Sequence, residues 1–328
     1  MSTTADRAAS IETRNPATDE IIQRYEPHSK TTIDARLNAA VAAKKTWRET
    51  PFAERAERMR AVAGYLREHK AELAELATRE MGKPIAESEA EVEKCAVCCE
   101  WFAANGSRLL ANEAHASNAT RSYVAFRPLG VLLAIMPWNF PYWQVFRAAA
   151  PALMAGNVMV LKHAANVTGV ALKIEEIFRA AKLPDGVFAT LLISSREMDP
   201  IVGDERIAAV TLTGSEGAGS SVGASAGKAI KKAVLELGGS DYFIVLADAD
   251  LEQAATVGVK ARFQNAGQSC IAAKRFIIED AVYDRFIELF VQKVRELKVD
   301  DPRRRDTQIG PLARADLRDA LAEQVRDT

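Results

Sequence analysis

After Tyr123 the hydrophobic pattern changes texture: apolar runs of strand length begin to alternate with helical stretches. The runs cover 131–136, 157–161, 186–193, 208–213 and 233–237. Between them lie helical segments at 143–153, 167–181, 200–204 and 217–228. Continuous apolar strands alternating with helices predict a parallel sheet covered on both faces, the α/β class. A second set follows, with strands at 242–246 and 274–278 and helices at 251–265 and 282–297. The last helix sets Val282, Phe286, Leu289, Phe290, Val294 and Leu297 on one core-facing stripe.

Before this region the texture is different. Residues 1–10 are polar and read as loose. Residues 11–26 read as short strands and turns broken at Asn15-Pro16. From 32 to about 110 the chain reads as helical. The stretch 53–80, rich in Ala, Leu, Glu, Arg and Met, ends at Gly82-Lys83-Pro84, and a second helix runs from about 85 to 104. A hinge between two sheets is expected near Glu236-Leu237-Gly238-Gly239, where paired glycines permit a tight turn.

Composition narrows the function. The 328 residues are 48% hydrophobic and 27% charged, enough apolar material for two domains. A formal charge of −1 gives no basic excess for nucleic acid. The sequence has no uninterrupted apolar stretch of membrane-spanning length and no signal-like apolar segment at MSTTADRAAS, so no membrane partner is expected. Four cysteines are too few for a disulfide scaffold at this length, and a cytoplasmic location is expected.

In doubly wound sheets, ligands bind beyond the carboxyl ends of the strands. Met136-Pro137-Trp138-Asn139, Lys162 and Thr213-Gly214-Ser215 all fall at such ends and point to one crevice. Cys270 follows a helix and a glycine; it reads either as a packed small hydrophobe or as an accessible nucleophile. Glu236 ends an apolar strand, as an exposed acid or as a functional carboxylate. Asn139, between Pro137 and Pro141, reads as a helix cap or as a rigidly held amide donor to an oxyanion. Cys95, Cys98 and Cys99 share one helix with no second ligand pair, so they read as packing residues, and no metal is expected.

The series Pro137-Trp138-Asn139-Phe140-Pro141, Lys162, Thr213-Gly214-Ser215, Glu236-Leu237-Gly238-Gly239 and Gly267-Gln268-Ser269-Cys270 resembles the ordered motifs of the aldehyde dehydrogenase superfamily. The likeness runs from about residue 11 to the end. Within the superfamily, 128–147, Lys162-His163-Ala164 and 235–246 are similar to bacterial NAD(P)-dependent succinate-semialdehyde dehydrogenases. The resemblance implies a Rossmann-type cofactor domain with N-terminal helices over 1–236, an oligomerisation segment near 116–130, and an α/β catalytic domain over 237–328. It implies Cys270 as nucleophile, Glu236 as general base and Asn139, with the Cys270 N–H, as oxyanion donor. NAD or NADP would lie along Met136, Pro137, Trp138, Asn139, Lys162, His163, Ala164, Ala165, Gly214, Ser215 and Leu237. Ala165 stands where NAD-restricted relatives carry an acid, so NADP should be tolerated as well as NAD. Arg147 matches an arginine that faces the distal carboxylate of a succinate semialdehyde substrate; the plainer reading is a helix-surface cation or a subunit-contact residue. The expected assembly is a homodimer or homotetramer. The family's E-x-F-G-P motif occurs nowhere in this sequence, so an incomplete second domain and weakened or absent turnover are also expected.

Overall fold

The computed structural model describes residues 10–328; the looseness expected of the first residues lies outside that range, apart from Ser10. Two short antiparallel strands, β1 (Ile11–Arg14) and β2 (Ile21–Tyr25), flank the Asn15-Pro16 turn. Four helices follow: α1 (Lys30–Trp47), α2 (Phe52–Glu68), α3 (Lys70–Met81) and α4 (Ile85–Leu109). The single helix expected over 53–80 is two, because the chain leaves helical geometry at His69 (φ −104°, ψ 17°). The His69 ring stacks on Tyr65 at 3.8 Å and its Nδ1 lies 3.1 Å from the Tyr65 carbonyl oxygen. Helix propensity carries no sign of such a local competitor. Helix α3 does stop at Gly82, whose φ of 78° is left-handed; a Cβ there would stand 2.8 Å from Pro311.

A small hairpin, β3 (Glu113–Ala114) with β4 (Tyr123–Val124), leads into the main sheet. Its units are β5 (Val131–Met136), α5 (Trp143–Met154), β6 (Val158–His163), α6 (Thr168–Ala180), β7 (Phe188–Thr190), α7 (Met198–Gly203), β8 (Ile207–Thr213), α8 (Glu216–Lys228) and β9 (Lys232–Glu236). All pairings are parallel in the order β7-β6-β5-β8-β9. Strand order reverses between β5 and β8, which makes their carboxyl ends the switch point of a doubly wound sheet. Strand β7 pairs over fewer residues than its apolar run because only Met159, Val160 and Leu161 of β6 meet it.

The second unit holds β10 (Asp241–Val245), α9 (Leu251–Phe263), β11 (Ala273–Ile278) and α10 (Tyr283–Arg295), with β10 parallel to β11. Val245, Ala255, Phe286 and Leu289 form its own small core, packed against Phe243, Phe276 and Phe290. A last helix, α11 (Ala315–Asp327), has no buried residue and no counterpart in the sequence reading.

Carboxylates from the helical layer hold the sheet helices by their amino ends. Glu91 of α4 is buried, pairs with buried Lys83, and accepts from the N–H groups of Tyr142 (2.8 Å) and Trp143 (2.9 Å) at the start of α5. Glu80 accepts from Gly169 and Val170 N–H, both at 3.0 Å, in the first turn of α6. Each puts a negative charge on orphan donors and on the positive end of a helix.

His163 closes β6 with its ring turned inward, Nε2 2.9 Å from the Pro141 carbonyl oxygen and Nδ1 2.9 Å from the Ala164 N–H. The Met136 carbonyl oxygen also lies 3.1 Å from Nδ1; a neutral ring that donates from Nε2 meets Pro141 and, at Nδ1, the Ala164 N–H. Burial pushes its pKa down to about 4. An unfolded histidine takes up a proton near pH 6.5, whereas the folded one does not until about pH 4. His163 therefore contributes stability that is complete above pH 6.5 and is lost as pH falls towards 4, by up to roughly 3 kcal/mol. Urea unfolding at pH 7 and pH 5 should show a larger acid loss for the wild type than for His163→Gln; equal losses would mean that the ring is already charged in the folded state.

Candidate active site

Two loops meet beyond the carboxyl end of β5. Prolines 137 and 141 bracket the first, and Asn139 at its centre donates from Nδ2 to the Gln268 carbonyl oxygen at 2.9 Å. Asn139 does not cap α5, because Glu91 already satisfies that end and the Asn139 Oδ1 accepts from Phe140 N–H at 3.1 Å. From below, the Lys83 ammonium stands 4.0 Å over the Phe140 ring. Met136 is buried, so what it offers the crevice is backbone; the same holds for inward-facing His163.

The second loop carries Cys270. Helix α9 ends at Phe263, and Asn265, Ala266 and Gly267 are all left-handed (φ 56°, 53° and 76°). Such a run for two non-glycine residues costs energy and persists only where other contacts over-determine it. Four hydrogen bonds do so here. Asn265 N–H donates to Glu87 Oε2 (2.8 Å), and Asn265 Nδ2 donates to the Asn139 carbonyl oxygen (2.7 Å). Gln268 donates to the Asn265 carbonyl oxygen (3.1 Å) and accepts from Ala313 N–H (2.9 Å). Burial raises the pKa of Glu87 against its bond to Asn265. Cys270 itself is half-buried, and its carbonyl oxygen lies 3.8 Å from where a Cβ on Gly239 would stand.

Gly239 follows β9, whose last residue is Glu236. Glu236 is registered against Thr213 of β8, and its carbonyl oxygen accepts from Gly214 N–H at 3.0 Å. Its exposed side chain lies 3.7 Å from the Arg147 guanidinium, which also donates to Thr213 Oγ1 at 3.0 Å. Arg147 thus faces the strand ends rather than open solvent, and its buried Nε has no partner among the described residues.

On the other side of the switch point, Lys162 is mostly buried, which lowers its pKa, and it makes no hydrogen bond or ion pair among the described residues. Ala164 and exposed Ala165 follow it. Ser215 caps α8, its hydroxyl accepting from Ala218 N–H at 3.3 Å, and space beside Gly217 is open. Leu237 packs against Gly219 so closely that a Cβ there would lie 2.4 Å from it. Cys95 and Cys99 are buried and Cys98 is half-buried; burial pushes all three thiols up, that of Cys98 to about 11. No group of three or more His, Cys, Asp or Glu side chains suited to a metal occurs among the described residues. No described helix is long and apolar enough to cross a membrane.

Among four neighbours of this site, Glu87 and Lys274 had no signal in the sequence, while Thr213 and Gln268 stood inside the motifs without a role of their own. Glu87 reads as an acid in a first helical turn, Gln268 and Lys274 as polar loop and strand residues, and Thr213 as the end of an apolar strand. For Glu87, Thr213 and Gln268 the contacts reach across long sequence separations, which a one-dimensional pattern does not carry; Lys274 acts within its own turn, on carbonyl oxygens that no residue pattern marks.

Known proteins share both the order and the architecture of these parts. The family model described as the aldehyde dehydrogenase family matches residues 3–328. A probable succinate-semialdehyde dehydrogenase [NADP(+)] of Synechocystis sp. is 50% identical over 97% of this chain and 70% of its own length. The succinate semialdehyde dehydrogenase [NAD(P)+] of Escherichia coli is 48% identical over 99% of this chain and 70% of its own. Among solved structures, a succinic semialdehyde dehydrogenase from Streptococcus pyogenes in complex with NADP+ superposes with a TM-score of 0.94 at 36% identity, over 96% of this chain and 70% of that one. Sequence likeness along nearly the whole chain and a shared fold at this identity lead to one conclusion: the chain belongs to the aldehyde dehydrogenase family.

Proposed function

We propose that this chain oxidises an aldehyde, succinate semialdehyde above all, to the carboxylic acid with NAD+ or NADP+, through a thioester on Cys270. One observation carries the reading: the bond from Asn139 Nδ2 to the Gln268 carbonyl oxygen joins the amide of one loop to the loop that bears the thiol. An amide and a thiol held together by rigid loops can attack a carbonyl and stabilise the resulting alkoxide. The relatives' names carry the same substrate and cofactors.

The residues present fit a dinucleotide. Lys162 is a mostly buried cation without a partner among the described residues, suited to ribose hydroxyls, and the first turn of α8 offers free N–H groups beside open space at Gly217 for a pyrophosphate. Ala165 puts no carboxylate against a 2′-phosphate. When bound, the nicotinamide supplies the hydride acceptor that an aldehyde oxidation requires. The chain does the rest. The Cys270 thiolate adds to the aldehyde carbon, and the Asn139 amide and the Cys270 N–H hold the oxygen. Glu236, exposed at its strand end, takes a proton from the water that hydrolyses the thioester. A water-activating carboxylate argues against acyl transfer to CoA.

Arg147 supports the choice of a substrate with a second carboxylate, since its Nε is buried without a partner among the described residues. Its 3.7 Å approach to Glu236 favours a second role, steadying the base. The exposed residues Tyr123, Val124, Phe126 and Leu129 support assembly through 116–130 into a homodimer or homotetramer. A cytoplasmic location completes the proposal.

NADPH formation at about 340 nm (the reduced-nicotinamide band) with succinate semialdehyde tests the whole reading. Cys270→Ala should abolish turnover and leave dinucleotide binding near the wild-type level, while Cys98→Ala keeps most activity; residual turnover in Cys270→Ala would remove the nucleophile assignment. Glu236→Gln should give a burst of reduced cofactor, then a steady rate lower by about 10²–10⁴-fold, with acyl adduct on Cys270 by mass spectrometry. Absence of both burst and adduct would mean that Glu236 acts earlier. Arg147→Ala should lose about 2–5 kcal/mol in kcat/KM for succinate semialdehyde and much less for an uncharged aldehyde of similar length. Equal losses would point to the Glu236 contact and to a general aldehyde dehydrogenase.

A further inference from the structure

Lys274 stands at the start of β11, four residues after Cys270, and its side chain turns back over the thiol loop. Its ammonium lies 2.8 Å from the Cys270 carbonyl oxygen and 3.3 Å from those of Ser269 and Ala272. It makes no ion pair among the described residues, so these three oxygens are its partners. A charged donor to a neutral carbonyl is stronger than a neutral one, and one cation gathering three carbonyls fixes the orientation of several peptide planes at once.

The peptide between Ser269 and Cys270 is the one that matters. A trans peptide is planar and its C=O and N–H point opposite ways. Turning the Ser269 oxygen towards Lys274 therefore turns the Cys270 N–H to the other side of the loop. That N–H makes no hydrogen bond among the described residues. The Ser269 side chain does not fix the plane, because its buried hydroxyl has no partner among the described residues either. The Ala272 N–H also reaches the Ser269 oxygen, at 3.1 Å, from within the same turn. Upstream, Glu87 anchors the left-handed run at Asn265; downstream, Lys274 is the side chain that holds the turn.

We propose that Lys274 is a positioning residue, which aims the free Cys270 N–H at the oxygen of a carbonyl attacked by the Cys270 sulfur. This rests on Cys270 being the nucleophile, as proposed above, but not on aldehyde oxidation.

The test compares two reagents on Cys270 in the full chain. With p-nitrophenyl acetate, a bond forms between sulfur and the acetyl carbon, the bond to p-nitrophenolate breaks, and negative charge passes through the acetyl oxygen. With iodoacetamide, sulfur displaces iodide and no oxyanion develops, so the rate reads thiolate content and access. Lys274→Met should slow acetylation about tenfold or more while alkylation stays within about twofold, and Lys274→Arg should restore most of the acetylation rate. Both rates are followed by adduct mass, with melting curves to verify folding, and Lys274→Gln serves should the methionine variant not fold. Unchanged acetylation, or equal loss with both reagents, would overturn the proposal. A wild type that acetylates at Cys270 yet reduces neither NAD+ nor NADP+ with aldehydes would overturn the function proposed above and leave this comparison standing.

Discussion

A carboxylate buried among helices carries more of this structure than any residue of the crevice. Glu91 takes the Lys83 ammonium on one oxygen and the first N–H groups of α5 on the other, and Lys83 in turn lies under Phe140. Removing one partner of a buried pair leaves the other charge stranded, typically at about 3–5 kcal/mol. Here the loss would extend further, because the same contacts hold the loop between Pro137 and Pro141. One turn earlier on the same face, Glu87 holds Asn265. Residues four apart on a helix lie above one another, so a single stripe of α4 supports both loops that meet at Asn139 and Gln268.

The sheet was legible in the sequence for a plain physical reason. Strands β5, β6 and β8 are buried on both faces and read as unbroken apolar runs. Their carboxyl ends carry the polar clusters, and the crossing back from β7 to β8 makes those ends converge. The break at His69 was not legible, since a ring stacking on its neighbour leaves propensity unchanged. Helix α11 went unread although Leu317, Leu321 and Val325 stand at helical spacing; among the described residues nothing buries that stripe.

The site divides along the same line. Asn139, Lys162 and Glu236 stood out as polar residues at the ends of apolar strands and Cys270 as a thiol after a helix and a glycine, and the resemblance of their order to a family made the pattern specific. Glu87, Glu91 and Lys274 looked like ordinary surface charges on helices and a strand. They matter through what they hold: Glu87 and Glu91 through tertiary contacts, Lys274 through the carbonyl oxygens of its own turn. The helix-borne cysteines illustrate the opposite case: Cys95, Cys98 and Cys99 form a conspicuous cluster, yet burial keeps their thiols protonated and inert.

Helix α8 contains four glycines in thirteen residues; a side chain at Gly219 would crowd Leu237, and one at Gly223 would meet Leu235 at ordinary contact distance. Each glycine costs a helix about 1 kcal/mol relative to alanine, so this one sits at the low end of local stability. Its docking nevertheless fixes both leucines that flank Glu236. An anion seated on its first turn would add order to a helix that is poor at ordering itself, and through the leucines that order passes to the carboxylate between them. Occupancy at one end of the crevice and rigidity at the other are then a single thermodynamic quantity, linked by mass action.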